Sequence, residues 1–196
     1  GDEQTYLLDP PPGPFVALAG AQRNPCALRP DGRVACWGYG QTGIADAPAD
    51  EFVAIDAGFR AVCGLRTDGD IHCWGRAYDT SIPMDAPMDL VFSGPFERLV
   101  MADTEVCGLD AAGIATCFST TGSAPTVPDG SGPWTALAPL DDGGCGVRPG
   151  GELECWGVPQ FGGMPALIDG ALALTGNSWT VCAASESAFD CDRNPG

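Results

Sequence analysis

The chain has 196 residues, with nine arginines, no lysine and 26 acidic residues, for a net charge of −17. That length fits one domain or one compact repeat array, and no apolar run approaches the ~18 residues that a membrane-spanning helix needs. A surface this acidic repels phosphate backbones and anionic lipid, which argues against nucleic acid and membrane insertion; the plain reading of the charge is solubility, and the sharper one is a basic partner or a bound cation.

Ten cysteines stand in the chain, none in a C-x-x-C pair, beside a single histidine. That composition speaks against a zinc site and for disulfides, hence for an oxidising compartment and a secreted or cell-surface protein. Glycine and proline are spread along the chain, as many tight turns require. The opening Gly1-Asp2-Glu3-Gln4 reads as a mature or trimmed start, with no signal peptide.

Residues 1–14 form an N-terminal segment whose Thr5-Tyr6-Leu7-Leu8 is expected to add a strand to the last repeat. Five repeats follow, at about 15–50, 51–94, 95–132, 133–169 and 170–192. Each carries a cysteine pair: Cys26 and Cys36, Cys63 and Cys73, Cys107 and Cys117, Cys145 and Cys155, Cys182 and Cys191. Eleven residues before each first cysteine stands an apolar residue, namely Phe15, Phe52, Phe96, Trp134 or Ala171. Three residues after that come Leu18, Ile55, Leu99, Leu137 and Leu174. Successive first cysteines lie 37, 44, 38 and 37 residues apart, the signature of a repeat architecture.

Within a repeat, the first strand runs from a residue such as Phe15 to Ala19, and a hairpin follows. In repeat one, Pro30-Asp31-Gly32 separates Cys26-Ala27-Leu28 from Val34-Ala35-Cys36, which suits a type I turn with Gly32 in the left-handed region. That loop sets Arg29 opposite Arg33, Leu28 opposite Val34 and Cys26 opposite Cys36. The same arithmetic pairs Leu65 with Ile71, Leu109 with Ala115 and Val147 with Leu153. Repeat five is one residue shorter and pairs Ala184 with Phe189 across Glu186-Ser187. Each apolar pair shares a face with its cysteines because side chains alternate with period two. Opposed Cα atoms at ~4.5–5.5 Å are within disulfide range, so each repeat is expected to staple itself. A unit this small must stack on its neighbours to bury its apolar face.

The segment from Phe52 to Gly58, then Cys63-Gly64-Leu65, Asp68-Gly69 and Cys73-Trp74-Gly75, resembles the regulator-of-chromosome-condensation repeat. Repeat one adds Gly38-Tyr39-Gly40-Gln41-Thr42-Gly43, similar to that family's glycine-rich exit loop. Trp-Gly occurs in repeats one, two and four; Phe118-Ser119 and Asp192-Arg193 replace it in the others. The family's usual histidine before the Ala-Leu step is replaced by Asn24, Ala61, Glu105, Gly143 and Thr180. The resemblance implies an all-β fold, a small β-propeller of five short blades. The short period is closer to bacterial extracellular members, propeller-type β-lactamase inhibitory proteins among them, than to the nuclear type. Ring closure by one chain, an open arc, or a ring completed by two chains all remain open.

Trp37, Trp74 and Trp156 each follow a cysteine and point away from the disulfide face. They either pack between repeats or form a ring of exposed aromatics for a partner. The candidate partner face comprises these three with Tyr39, Arg76, Tyr78, Met84 and Phe161. The stretch after repeat two, Arg76 through Met84, Met88 and Phe92, reads as a long loop that either binds or covers an edge. His72 reads as a strand-surface histidine with no nucleophile near it and no G-x-S-x-G in the chain. Asp68 and Asp70 flank a turn glycine, and Asp141 and Asp142 read as a solvated loop. No calcium-loop motif, metal site or cofactor site is indicated. The expected function is a non-catalytic, extracellular interaction module for a protein or glycan. The alternatives are a display segment of a larger surface protein, or a hydrolase using carboxylates at a central channel.

Overall fold

The computed structural model describes residues 10–21, 24–38, 43–76, 87–120, 127, 132–140, 143–157, 173–177, 180–185 and 189–193. These contain strands and turns and no helix.

Five antiparallel sheets follow one another along the chain. Blade 1 holds β1 (Ala17–Ala21), β2 (Asn24–Leu28) and β3 (Val34–Cys36). Blade 2 holds β4 (Phe52–Ala57), β5 (Ala61–Arg66), β6 (Ile71–Arg76) and β7 (Pro87–Phe92). Blade 3 holds β8 (Phe96–Met101), β9 (Glu105–Asp110) and β10 (Ala115–Ser119). Blade 4 holds β11 (Ala136–Leu140), β12 (Gly143–Val147) and β13 (Leu153–Gly157), and blade 5 holds β14 (Ala173–Asn177), β15 (Thr180–Ala184) and β16 (Phe189–Arg193).

The hairpin registers match the sequence arithmetic in all five blades, from Cys26 opposite Cys36 to Ala184 opposite Phe189. Four disulfides close within blades 1–4, with Cα atoms 4.0–4.1 Å apart, tighter than the unbridged spacing expected from sequence. Cys182 is disulfide-bonded too and lies opposite Cys191 in the register. The turns are built alike. In blade 1, Arg29 N–H donates to Arg33 O at 2.8 Å, and Gly32 N–H donates to Arg29 O at 3.0 Å. Gly32, Gly69, Gly113 and Gly151 all have φ between 79° and 91°, the left-handed region that glycine tolerates.

Blades stack by a repeated rule. The disulfide face of one blade receives the lead aromatic and the post-cysteine aromatic of the next. Cys26 and Leu28 cluster with Phe52, Val62 and Trp74. Cys63, Leu65 and Ile71 cluster with Phe96, Met101 and Val106. Cys107 and Leu109 cluster with Trp134 and Leu137. The glycine after the first cysteine makes room for the ring. A Cβ on Gly64, Gly108 or Gly146 would lie 2.3–2.4 Å from Phe52, Phe96 or Trp134. A register shift after Phe52, and another after Phe96, marks a bulge in the leading strand. Residues three apart on a regular strand face opposite ways; the bulge lets Phe52 and Ile55 reach the same preceding blade.

One sequence expectation is corrected. The stretch after repeat two is not loop throughout: Pro87–Phe92 forms β7, a fourth strand paired to β6. Met88 is buried and Phe92 stacks on Phe118 with centroids 4.3 Å apart, so this strand covers blade 2's outer edge and leans on blade 3. Proline sits at the strand's first residue, where its missing N–H is tolerated.

The leading strands run side by side as β1, β4, β8, β11 and β14. Among the described residues, no contact of that extent joins β14 back to β1. The Thr5–Leu8 closing strand expected from sequence lies outside the described residues.

Candidate functional site

The stacking of blade 2 on blade 1 builds a cleft of about 260 Å³, lined among others by Asp46, Pro48, His72, Trp74, Met88 and Asp89. Three segments meet there. The exit segment of repeat one is pinned by Ile44, whose side chain is buried and whose carbonyl accepts the Trp74 Nε1 hydrogen at 3.1 Å. β6 supplies His72 and Trp74, two residues apart and so on one face. β7 supplies Met88 and Asp89.

His72 is the correction that matters most at this site. Its ring points away from the disulfide face as expected, but it is buried at 9 % exposure rather than lying on the strand surface. Nδ1 contacts Asp50 Oδ2, and Nε2 lies 2.6 Å from Asp89 Oδ1. With both nitrogens engaged, His72 has no free edge for a general base. Asp89 is 82 % exposed and Asp50 30 % exposed at their side chains, and Asp46 lies open beside them. The cleft therefore has Trp74 and Pro48 in its walls and an acidic rim.

The residues singled out from sequence fall in different places. Trp74 is 3 % exposed and lies 5.5 Å from Phe52. It is an inter-blade core residue that shows only one wall to the cleft. Trp156 is half-buried against Trp134 at 5.6 Å. Trp37 is half-buried, with its amide donating to Pro25 O at 3.1 Å. Arg76 ends β6, half-buried, with its amide donating to Arg60 O at 3.0 Å. Tyr39, Tyr78, Met84 and Phe161 lie outside the described residues, as do Asp141 and Asp142. Asp46, Asp50 and Asp89 were not singled out from sequence, because Asp50 and Asp89 stand 22 and 17 residues from His72.

Other carboxylates have structural work. Asp68 Oδ1 accepts the Asp70 amide at 3.1 Å, and Asp70 accepts the Gly94 amide at 3.1 Å. Glu105 is buried, and its Oε1 accepts the Val127 amide at 3.2 Å. It lies near the sulfurs of Cys107 and Cys117, but these are bonded to each other and are not the thiolates a metal needs. Asp56 sits at the end of β4 and accepts the amides of Ala57 and Met101, both at 2.8 Å, which ties blade 2 to blade 3. Burial pushes its carboxyl above the ordinary range, against the opposing pull of those two amides.

A second cavity, about 350 Å³, opens between the leading strands of blades 2–5. Ala54, Leu99, Leu137 and Leu174 make it largely apolar, and Glu97 is its one carboxylate among the described residues. Arg98 also lines it and donates to the carbonyls of Trp134 and Thr135 at 2.7 and 2.5 Å, joining blade 3 to blade 4. Acid–base hydrolysis of a glycoside uses two carboxyls across one cleft, and among the described residues this cavity holds one.

Residues 52–79 match the model of the regulator of chromosome condensation (RCC1) repeat. No curated protein matches the chain in sequence. Solved structures do match in fold. The ectodomain of the Physcomitrella patens receptor kinase CR4 is 22 % identical, with a TM-score of 0.67 over 94 % of this chain and 52 % of that one. The CRINKLY WD40 ectodomain of the Arabidopsis thaliana receptor kinase ACR4 is 18 % identical, with a TM-score of 0.58 over 96 % and 83 %. Prp20p of Saccharomyces cerevisiae, described with its binding properties to Gsp1p and histones, is 13 % identical, with a TM-score of 0.70 over 90 % and 56 %. The chain thus spans about half the length of two of these three. With its stapled hairpins, its blade-on-blade stacking and these fold relatives, the protein has a β-propeller fold, and its residues 52–79 are similar to the regulator-of-chromosome-condensation repeat.

Proposed function

We propose that this protein is a non-catalytic, secreted or cell-surface interaction module that binds a protein or glycan carrying basic groups at the cleft between blades 1 and 2. The observation that carries the reading is the cleft's make-up: exposed Asp46 and Asp89 rim a cleft walled by Trp74 and Pro48. A cationic side chain entering there meets carboxylates at its tip and apolar surface along its stem. The staples support the oxidising location, and the rigid frame they give reduces the ordering cost of binding. Two of the fold relatives are receptor-kinase ectodomains, which is the setting this reading assigns. The non-catalytic part rests on His72, engaged at both nitrogens, and on Asp56, engaged by two amides and lining neither cavity.

The test is capture from culture fluid and cell-surface extract with the oxidised protein, beside Asp46→Asn and Asp89→Asn variants of unchanged thermal midpoint. A ligand held by the parent, weakened by each variant and released by moderate salt supports the reading. Equal capture by all three removes the cleft from consideration. No capture by any favours a display segment of a longer surface protein.

A further inference from the structure

We propose that the cavity between the leading strands of blades 2–5 binds a small organic amine, its cationic head on Glu97 and its apolar body on the leucines beneath. The site is separate from the cleft between blades 1 and 2 and does not depend on what that cleft binds. The cavity's volume, about 350 Å³, falls within the ~300–1,000 Å³ of ligand pockets, which pair apolar walls with a few placed polar groups. Leu109 and Leu137, 1 % and 3 % exposed, form its floor. Half-buried Leu99 and Leu174 add walls from blades 3 and 5. Leu99, Leu137 and Leu174 hold the same place in three successive repeats, so blade stacking gathers them at one centre.

The exposed residues at the mouth, Glu97, Arg98 and Thr135, select the head group. Arg98 is committed within the fold, its two terminal nitrogens donating to the carbonyls of Trp134 and Thr135. The Thr135 hydroxyl is committed as well, donating to the carbonyl of Val147 at 3.1 Å. Glu97 differs. The register shift between Phe96 and Arg98 puts it at the bulge of β8, and its carboxylate has no hydrogen-bond or ion-pair partner among the described residues. The bulge itself does not require an acid: the corresponding position in blade 2 is Val53, 57 % exposed. The mouth thus keeps one open acceptor beside donors already spent. An ammonium group meets it with a charge-assisted hydrogen bond. The chain's net charge of −17 draws such a cation and repels a carboxylate of the same size.

The test is an NMR titration of the oxidised protein with hexylamine and with hexanoate, at about 0.15 M salt so that distant carboxylates are screened. The same titrations are run on Glu97→Gln and Ala54→Leu. Glu97 is exposed and Gln keeps its volume, so the first variant folds as the parent does. Ala54 lines the cavity, and the larger side chain of the second fills it. Methyl shifts of Leu99, Leu137 and Leu174 in the parent report occupancy without any variant. Expected is saturable, one-to-one hexylamine binding that moves these methyls and is at least ~10-fold weaker in both variants, with hexanoate at least ~10-fold weaker than hexylamine on the parent. No saturable binding overturns the proposal, as do leucine methyls that stay unmoved at saturation. Hexanoate that matches hexylamine, or amine affinity that Glu97→Gln leaves intact, removes the assigned head group. Affinity lost with Glu97→Gln but kept with Ala54→Leu overturns it in favour of an amine held by the surface carboxylate alone.

Discussion

The amide of Phe52 donates to the carbonyl of Gly32 at 2.8 Å. The turn glycine of one blade thereby receives the first residue of the next. Phe96 donates to Gly69 at 3.2 Å and Trp134 to Gly113 at 2.8 Å in the same way. One residue closes the hairpin, permits the close approach and sets where the following blade begins.

Glycine substitutions should therefore separate by position. Gly64→Ala places a Cβ 2.3 Å from the Phe52 ring and is expected to cost about 1–3 kcal/mol through overpacking. Gly150→Ala meets nothing within 4 Å and is expected to change stability by less than about 0.5 kcal/mol. Urea unfolding of both variants decides. Equal midpoints would show that the slot under Phe52 yields freely.

Each staple closes a short loop. Replacing Cys63 and Cys73 together by Ala should lower stability by roughly 2–3 kcal/mol in the chain-entropy model. The register should persist, because Leu65 and Ile71 pair directly beside the staple. Hydrogen exchange at β5 and β6 measures this. Retained protection with a lower urea midpoint is the expected pattern.

His72→Leu removes the ring that both Asp50 and Asp89 contact. Asp50 and Asp89 then face each other's charge across a partly apolar cleft. Both are partly exposed, so water relieves some of the penalty, and a loss of about 1–2 kcal/mol is expected. A double-mutant cycle with Asp50→Asn reads the coupling directly, and additive effects would show that the contact contributes nothing.

Asp56 gives a pH signature of known sign. Its folded-state pKa is raised, chiefly by burial. Folding therefore favours its protonated form. Its contribution is greatest below the unfolded carboxylate value of ~3.9 and is lost as pH rises through the higher folded value. The stability of the parent relative to Asp56→Asn should fall as pH rises through that window and level off above it. Urea midpoints of the two proteins from acid to neutral pH test the slope, and a flat difference would refute the assignment.

The sequence by itself determined what is local. Hairpin turns, cysteine pairing and the faces shared by Leu65, Ile71 and their cysteines follow from a ten-residue spacing, a turn glycine and period-two alternation, all within one repeat. Met88, Leu90 and Phe92 alternate as a strand does, yet β7 was missed because Met and aromatics also suit a binding loop. Only the tertiary structure decided which blade face is buried. The bulge after Phe52 turns Ile55 to the same side, and no spacing rule signals it. It also decided that Trp74 is core and that His72 meets Asp50 and Asp89. Those carboxylates reach the ring through the stacking of blade on blade and the addition of a fourth strand. Such contacts depend on how whole sheets pack, and no residue's immediate neighbours in the chain encode them.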